Sequence, residues 1–204
     1  KVLIHYGGQS AKKSGLLDRV KTSLSEAGID FVELGGVVAN PELKLVREGI
    51  KLCQDEGVDF ILAVGGGSVM DSSKDIANGV ANPDIDVWDF SLGKEVPKKT
   101  LKKGAILTLS AAGSEMSNSC VITNSATGQK RGYGCSANRF DFAIENPELT
   151  YSVSPYQTAC GAVDIAMHTI ERYFCKGNDT YLTDSIAEAV IKSVMKAGND
   201  CLKN

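Results

Sequence analysis

The chain has 204 residues, 43% of them hydrophobic and 23% charged, the composition of an ordinary soluble globular protein with room for one good core or two small domains. Its net charge of -3 excludes the basic footprint that nucleic acid or an acidic membrane surface would need. No apolar run approaches the roughly 18 residues of a membrane span and no signal-peptide pattern opens the chain, so a cytoplasmic protein is expected.

Residues 1–6 read as a strand, with Val2, Leu3 and Ile4 in succession, and lead into Gly7-Gly8-Gln9-Ser10. Leu16, Leu17, Val20 and Leu24 then mark a helix that Gly28 ends. Residues 29–34 form a second predicted strand. Gly35-Gly36 and Asn40-Pro41 make a loop, and residues 43–55 a second helix with Leu45, Val46, Ile50 and Leu52 apolar. Residues 60–64 are apolar without alternation, as a parallel strand covered on both faces requires. They meet Gly65-Gly66-Gly67-Ser68, after which Val69, Ile76, Ala77 and Val80 recur at helical spacing.

Three strand–loop–helix units in a row predict a doubly wound, mainly parallel Rossmann-like α/β sheet. Ligands of such sheets bind at the carboxyl ends of the strands, where the loops at 7–10, 35–40 and 65–68 fall. The third loop has the chemistry of an anion site. Its glycines remove the Cβ atoms that keep a ligand off the backbone, and a helix start offers unpaired N–H groups and partial positive charge. Ser68 is placed to cap the helix or to bind phosphate. The turn is neither a G-x-G-x-x-G nor a P-loop, and glycine at such turns also serves geometry alone.

Asn82-Pro83 breaks the helix, and Val87-Trp88-Asp89-Phe90 reads as a loop anchor with Trp88 packed. Residues 104–109 form another strand, leading into Thr108-Leu109-Ser110-Ala111-Ala112-Gly113-Ser114-Glu115, a run suited to close ligand approach or to capping. Residues 120–123, 130–134 and 140–144 read as short strands, the first two joined by a turn at 126–128. Six scattered cysteines, with no C-x-x-C pair, read as reduced core residues.

From Ser154, an expected N-cap before Pro155, the pattern becomes helical, first to about Phe174 and then over 181–196. A boundary near Val153 is therefore predicted, with an α/β domain over 1–153 and an all-helical domain beginning at 154–204. The first helix carries Gly161, Asp164, His168 and Glu171. Asp164 and His168 stand about 40° apart on one face. That spacing suits two ligands of one divalent cation, with Glu171 placed to orient them, and it equally suits a surface ion pair.

The ordered series Gly7-Gly8-Gln9-Ser10, Asn40-Pro41, Gly65-Gly66-Gly67-Ser68 with Asp71 and Lys74, Thr108 to Glu115, and Gly161/Asp164/His168/Glu171 resembles the iron-containing (group III) alcohol dehydrogenases. The likeness is greatest to their NADPH-dependent butanol dehydrogenase-like branch and covers essentially the whole chain. It implies a dehydroquinate synthase-like architecture: a dinucleotide-binding α/β domain followed by a helical domain holding Fe²⁺ or Zn²⁺. It also implies hydride transfer between NADP(H) and a primary alcohol or aldehyde, with the metal as Lewis acid. Carried over by position, Gly66, Gly67 and Ser68 would hold the pyrophosphate with Asp71 nearby. Thr108, Ser110 and Lys130 would line the adenosine and ribose region, and Asp164 and His168 would be two metal ligands.

NADP(H) is favoured over NAD(H) because the first loop has no carboxylate to repel a 2′-phosphate. Gly8, Gln9, Ser10 and Asn40 offer neutral donors there, with Lys12 and Lys13 close by. Family members commonly have threonine where this chain has Ala112, so one hydroxyl contact to the cofactor is expected to be absent. The family pattern also needs two further histidines downstream, and the sequence has only one other, His5. The chain is therefore expected to be a fragment, a partial or a truncated product with weak metal affinity and negligible turnover of its own. Two alternatives stand beside this reading: a nucleotide-binding module without catalysis, and a glycerol or polyol dehydrogenase of the same fold. Family members are often dimers, so a homodimer is admitted; no nucleic-acid or membrane partner is expected.

Overall fold

The structure, a computed structural model, describes residues 1–177 and 179–203. The chain divides into two compact units, one made of Lys1–Thr108 with Gly113–Asn146, the other of Leu109–Ala112 with the residues from Pro147 onward.

The first unit is built on five strands: β1 (Val2–Tyr6), β2 (Phe31–Leu34), β3 (Phe60–Gly65), β4 (Lys102–Leu107) and, beyond a separate hairpin, β7 (Phe142–Ile144). Their order is β2-β1-β3-β4-β7, and every neighbouring pair is parallel. The apolar runs make this arrangement stable, since a parallel sheet is covered on both faces and its strands need not alternate. Leu3, Ile4, Ile61, Ala63 and Val64 are accordingly fully buried. The hairpin is β5 (Ser119–Asn124) with β6 (Gln129–Gly134), antiparallel, with Cys120 opposite Tyr133 and Thr123 opposite Lys130.

The connecting helices are α1 (Ser10–Lys13), α2 (Leu16–Glu26), α3 (Leu43–Glu56), α4 (Gly67–Ala81) and α5 (Val87–Ser91). α5 replaces the predicted loop anchor. Asp86 caps it by accepting from the Trp88 N–H at 2.8 Å, and the turn buries Val87, Trp88 and Phe90. α3 and α4 approach closely because each contributes a glycine to the contact. A Cβ on Gly49 would lie 2.5 Å from Ile76 Cδ1, and one on Gly79 would lie 2.2 Å from Ile50 Cδ1. α4 is buried almost all round, from Val69 to Gly79 apart from the half-buried Asp71. A helix in that position must carry partners for any polar residue it holds.

In the second unit, α6 (Pro155–Tyr173) packs against α7 (Tyr181–Lys203). Ser154 caps α6 as expected, accepting from the Gln157 N–H at 3.3 Å. α7 runs past the predicted end at 196 and through Gly198, where a Cβ would lie 2.9 Å from Ala162 Cβ on α6. The glycine thus serves helix–helix contact and does not stop the helix. Among the described residues no helix is long and apolar enough to cross a membrane.

The cysteines depart in part from expectation. All six are free, Cys53 and Cys120 lie in the core, but Cys160, Cys175 and Cys201 are exposed on the helical pair.

Candidate functional site

The chain reverses its direction of growth across the sheet between β1 and β3, since β2 lies outside β1 whereas β4 lies outside β3. At such a switch point the loops leaving the two strands diverge and open a crevice at their carboxyl ends. The loops there are Gly7-Gly8-Gln9-Ser10, after β1, and Gly65-Gly66-Gly67-Ser68, after β3.

The N-terminus of α4 is open. Its N-cap is Gly66, in extended conformation, and no side chain caps the helix or places an acid in its first turn. Ser68 is therefore not the cap; it is the second residue of the helix. The Val69 and Met70 N–H groups turn back to the Gly66 carbonyl at 3.0 and 3.2 Å. This leaves the first amides of the helix, at Gly67 and Ser68, facing outward with the positive end of its dipole. Gly65 is required by packing, since a Cβ there would lie 2.6 Å from Val69 Cγ2. Gly67 is not so confined: a Cβ would meet nothing nearer than Ser114 Cβ at 3.7 Å.

Thr108 sits beside this turn, its N–H donating to the Gly65 carbonyl at 3.1 Å. Gly8, Gln9 and Ser10 are exposed, with Gln9 as the N-cap of the single-turn α1. The Lys12 ammonium lies over the Tyr6 ring, 5.3 Å from its centroid. Asn40 takes a left-handed conformation, φ 59°, which asparagine tolerates better than most residues. Lys130 Nζ donates to Asn40 Oδ1 at 2.7 Å, so these two residues, far apart in sequence, meet.

Asp71 is committed inward. Its Oδ1 accepts from Ser114 Oγ at 2.6 Å and from Lys74 Nζ at 3.2 Å, and its Oδ2 accepts from the Val121 N–H at 3.1 Å. Lys74, with no exposed surface, uses its ammonium on Asp71, on Ser114 Oγ at 2.8 Å and on the Ser119 carbonyl at 2.6 Å. The pair ties Ser114 and the start of β5, at Ser119 and Val121, to α4. The sequence does not reveal this. Ser114 and Lys74 read as a turn residue and a polar helix face, and only the i,i+3 spacing of Asp71 and Lys74 hints at a pair.

His5 is packed within the sheet and is not a ligand. Its Nδ1 meets the Leu34 carbonyl at 2.8 Å, its Nε2 meets Ser72 Oγ at 2.8 Å, and burial lowers its pKa to about 4.

The second unit holds Ser110, Asp164 and His168. A Cβ on Gly161 would lie 2.4 Å from the Ser110 carbonyl oxygen, so glycine at this position lets that strand of backbone lie on α6, one turn ahead of Asp164. Asp164 Oδ1 and His168 Nε2 are 3.8 Å apart and each side chain is about half exposed, 46% and 43% respectively. A carboxylate and an imidazole so placed have the donor chemistry of a divalent transition-metal site. Among the described residues, however, no group of three or more His, Cys, Asp or Glu could hold a metal ion. Asp164 and His168 by themselves would make up half of a tetrahedral shell.

A family profile, iron-containing alcohol dehydrogenase, matches residues 1–147. NADH-dependent butanol dehydrogenase A of Clostridium acetobutylicum is 44% identical over 97% of this chain and 51% of its own length. The NADPH-dependent aldehyde reductase YqhD of Escherichia coli is 39% identical over 100% of this chain and 52% of its own. The crystal structure of NADH-dependent butanol dehydrogenase A from Thermotoga maritima superposes with a TM-score of 0.93 at 40% identity, over 98% of this chain and 50% of that one. The chain thus spans about half the length of the relatives it matches. The matched profile, the parallel sheet and the high identity together place it: the chain belongs to the iron-containing alcohol dehydrogenase family.

Proposed function

We propose that these residues are the nucleotide-binding part, and the first metal ligands, of an oxidoreductase that transfers a hydride between NADP(H) and a primary alcohol or aldehyde. The observation that carries this reading is the open N-terminus of α4 at the β1/β3 switch point, with no side chain or acid occupying it. Gly66, Gly67 and Ser68 would bind the pyrophosphate through backbone amides. Asp71 would act from below, with Lys74, by holding Ser114 and the start of β5. Thr108, Ser110 and Lys130 would bind the adenosine and ribose, and Asn40 would share Lys130.

The preference for NADP(H) rests on Gly8, Gln9, Ser10 and Asn40, neutral groups where a carboxylate would repel the 2′-phosphate, and on Lys12, held beside β1 over Tyr6. The relatives divide on this point, with butanol dehydrogenases named for NADH and the aldehyde reductase for NADPH. Asp164 and His168 would supply two ligands to Fe²⁺ or Zn²⁺, and such a metal, when bound, polarises an alcohol or carbonyl oxygen. A nicotinamide held there would supply the hydride donor or acceptor for the alcohol or aldehyde carbon. The alcohol or aldehyde class, a cytoplasmic location and a homodimer belong to the same proposal.

Titration of the protein with NADPH and NADH, followed by nucleotide fluorescence, tests the cofactor reading: NADPH binds more tightly, and equal affinity for the two contradicts it. The two-ligand donor set favours a second reading, a module that binds nucleotide without turnover. NADPH binding with no aldehyde reduction by the full-length protein loaded with Fe²⁺ or Zn²⁺ would select that one.

A further inference from the structure

Asp75 lies on α4 with no exposed surface. The Tyr133 hydroxyl, from β6, donates to its Oδ1 at 2.6 Å. That hydroxyl also accepts from Asn78 Nδ2 at 2.8 Å, and Asn78 Nδ2 bonds Asn138 Oδ1 at 2.8 Å. Two buried oxygens are left without a hydrogen-bond partner, Asp75 Oδ2 and Asn78 Oδ1. Both are acceptors, one helical turn apart, in groups that share the Tyr133 hydroxyl. Lys74 is committed to Asp71, Ser114 and Ser119; the Cys120 thiol donates to the Asp71 carbonyl at 3.2 Å and also acts on the Asp75 carboxyl, and Ser73 Oγ, on the same helix, is itself buried without a partner. A proton on Asp75 Oδ2 removes the charge from that oxygen and makes it a donor, whereas a carboxylate would be a buried charge with one oxygen bare.

We propose that Asp75 is a positioning residue of the nucleotide site: as a neutral acid it fastens the β5–β6 hairpin to α4 through Tyr133, and its ionisation loosens the hairpin that carries Lys130 to Asn40. The proposal rests on the nucleotide reading above for its effect on cofactor, and on the buried contacts alone for the acid itself. Burial raises the Asp75 pKa to about 7, against which Tyr133 and Cys120 pull down, Asp71 pushes up and Lys74 pulls down.

Groups facing it from its own helix are Asp71 and Lys74, from β5 Cys120 and from β6 Tyr133; both the thiol and the phenol are pushed up, chiefly by burial. β1 contributes His5, held on Ser72 and lowered to about 4. β4 contributes Lys103, lowered by burial to about 8, whose ammonium holds the Ala137 carbonyl next to Asn138. Each of these other groups is present in both wild type and Asp75→Asn, so the difference between the two proteins isolates Asp75.

An acid raised in the folded state contributes stability that is full below its unfolded value, near pH 3.8, and is lost as pH rises to about 7. Asp75→Asn keeps an acceptor for Tyr133 and places N–H donors where the proton would sit. Its melting temperature minus that of wild type should therefore grow with pH up to about 7 and then level. Hydrogen exchange of the hairpin, corrected for intrinsic rate, should quicken in wild type about fivefold or more from about pH 6 to about pH 8, and stay constant in the variant. The NADPH dissociation constant should rise in wild type over that range by about threefold or more relative to the variant. A melting difference independent of pH overturns the neutral acid, and a pH-dependent hairpin with an unmoved NADPH constant overturns the positioning role. If neither protein binds NADPH at any pH, the nucleotide reading fails, and with it the positioning role, while exchange and melting still decide the acid. Should Asp75→Asn not fold, the ¹³C shift of the wild-type Asp75 carboxyl decides: titration near neutrality supports the acid, and an ordinary carboxylate value overturns it.

Discussion

The two units of this chain treat their buried surface in opposite ways. In the first, α4 is surrounded, and the polar atoms it buries are mostly paired, as with Lys74 on three acceptors and His5 on Ser72. In the second, α6 and α7 bury only Gly161 and Ala187, while Tyr156, Phe174, Tyr181 and Leu182 are each more than 70% exposed (74%, 76%, 82% and 72%). A sheet covered by helices closes its own core. Two helices can offer each other only one face each, and their remaining apolar residues are exposed in these 204 residues. Sensitivity to substitution should follow the same division.

Lys74→Met should do the most damage. It leaves Asp71 and Ser114 without their buried cation, and breaking such a pair costs about 3–5 kcal/mol, read as a lowered denaturation midpoint. A loss under about 1 kcal/mol would mean that Lys74 is no better than a surface pair.

Gly79→Val comes next, because its Cβ would lie 2.2 Å from Ile50 Cδ1 and 2.8 Å from Ile50 Cγ1. Ile50 has a flexible end, so the expected cost is that of overpacking, about 1–3 kcal/mol. Its recovery in the double variant with Ile50→Ala would show that steric contact, not helix propensity, is responsible.

The pH profile gives a smaller and subtler effect. His5, lowered to about 4, contributes stability above its ordinary value near 6.5 that is lost as pH falls toward 4. Asp75 acts with the opposite sign across nearly the same window, losing stability as pH rises to about 7. Wild-type stability should therefore be nearly flat between about pH 4.5 and about pH 6.5. In Asp75→Asn it should climb with pH, and a flat profile in that variant would remove His5 as a contributor.

The helical pair should respond least. Tyr181→Ser, Leu182→Ser or Asp164→Ala should each change stability of the 204-residue chain by less than about 0.5 kcal/mol, since none is buried. The chain alone should also bind Zn²⁺ weakly through its two donors; stoichiometric, tight metal after dialysis would contradict the two-ligand account.

What could be read from the sequence divides along physical lines. The parallel strands were legible because a sheet covered on both faces selects continuous apolar runs such as Ile61-Leu62-Ala63-Val64. The loops at the β1/β3 switch were legible as glycine clusters following those runs. Lys74 and Asp75 were not, because a helix buried by a distant hairpin has the same polar residues as one facing water, and Tyr133 lies many residues away. Of the two roles open to Ser68, the N-cap fails because the capping position lies two residues earlier, at Gly66. At 196 the sequence pattern ended while α7 continued, since Gly198 is used for contact with Ala162.

The central claim is that phosphate binds at the first turn of α4, and Gly67→Asp tests it most directly. A Cβ at this position is not crowded, its nearest neighbour being Ser114 Cβ at 3.7 Å. A carboxylate in the first turn favours the helix by about 0.3–1 kcal/mol while competing with a phosphate for the same amides. The prediction is an unchanged or raised melting temperature together with an NADPH dissociation constant at least about tenfold higher. An unchanged NADPH affinity in a folded Gly67→Asp protein would contradict it.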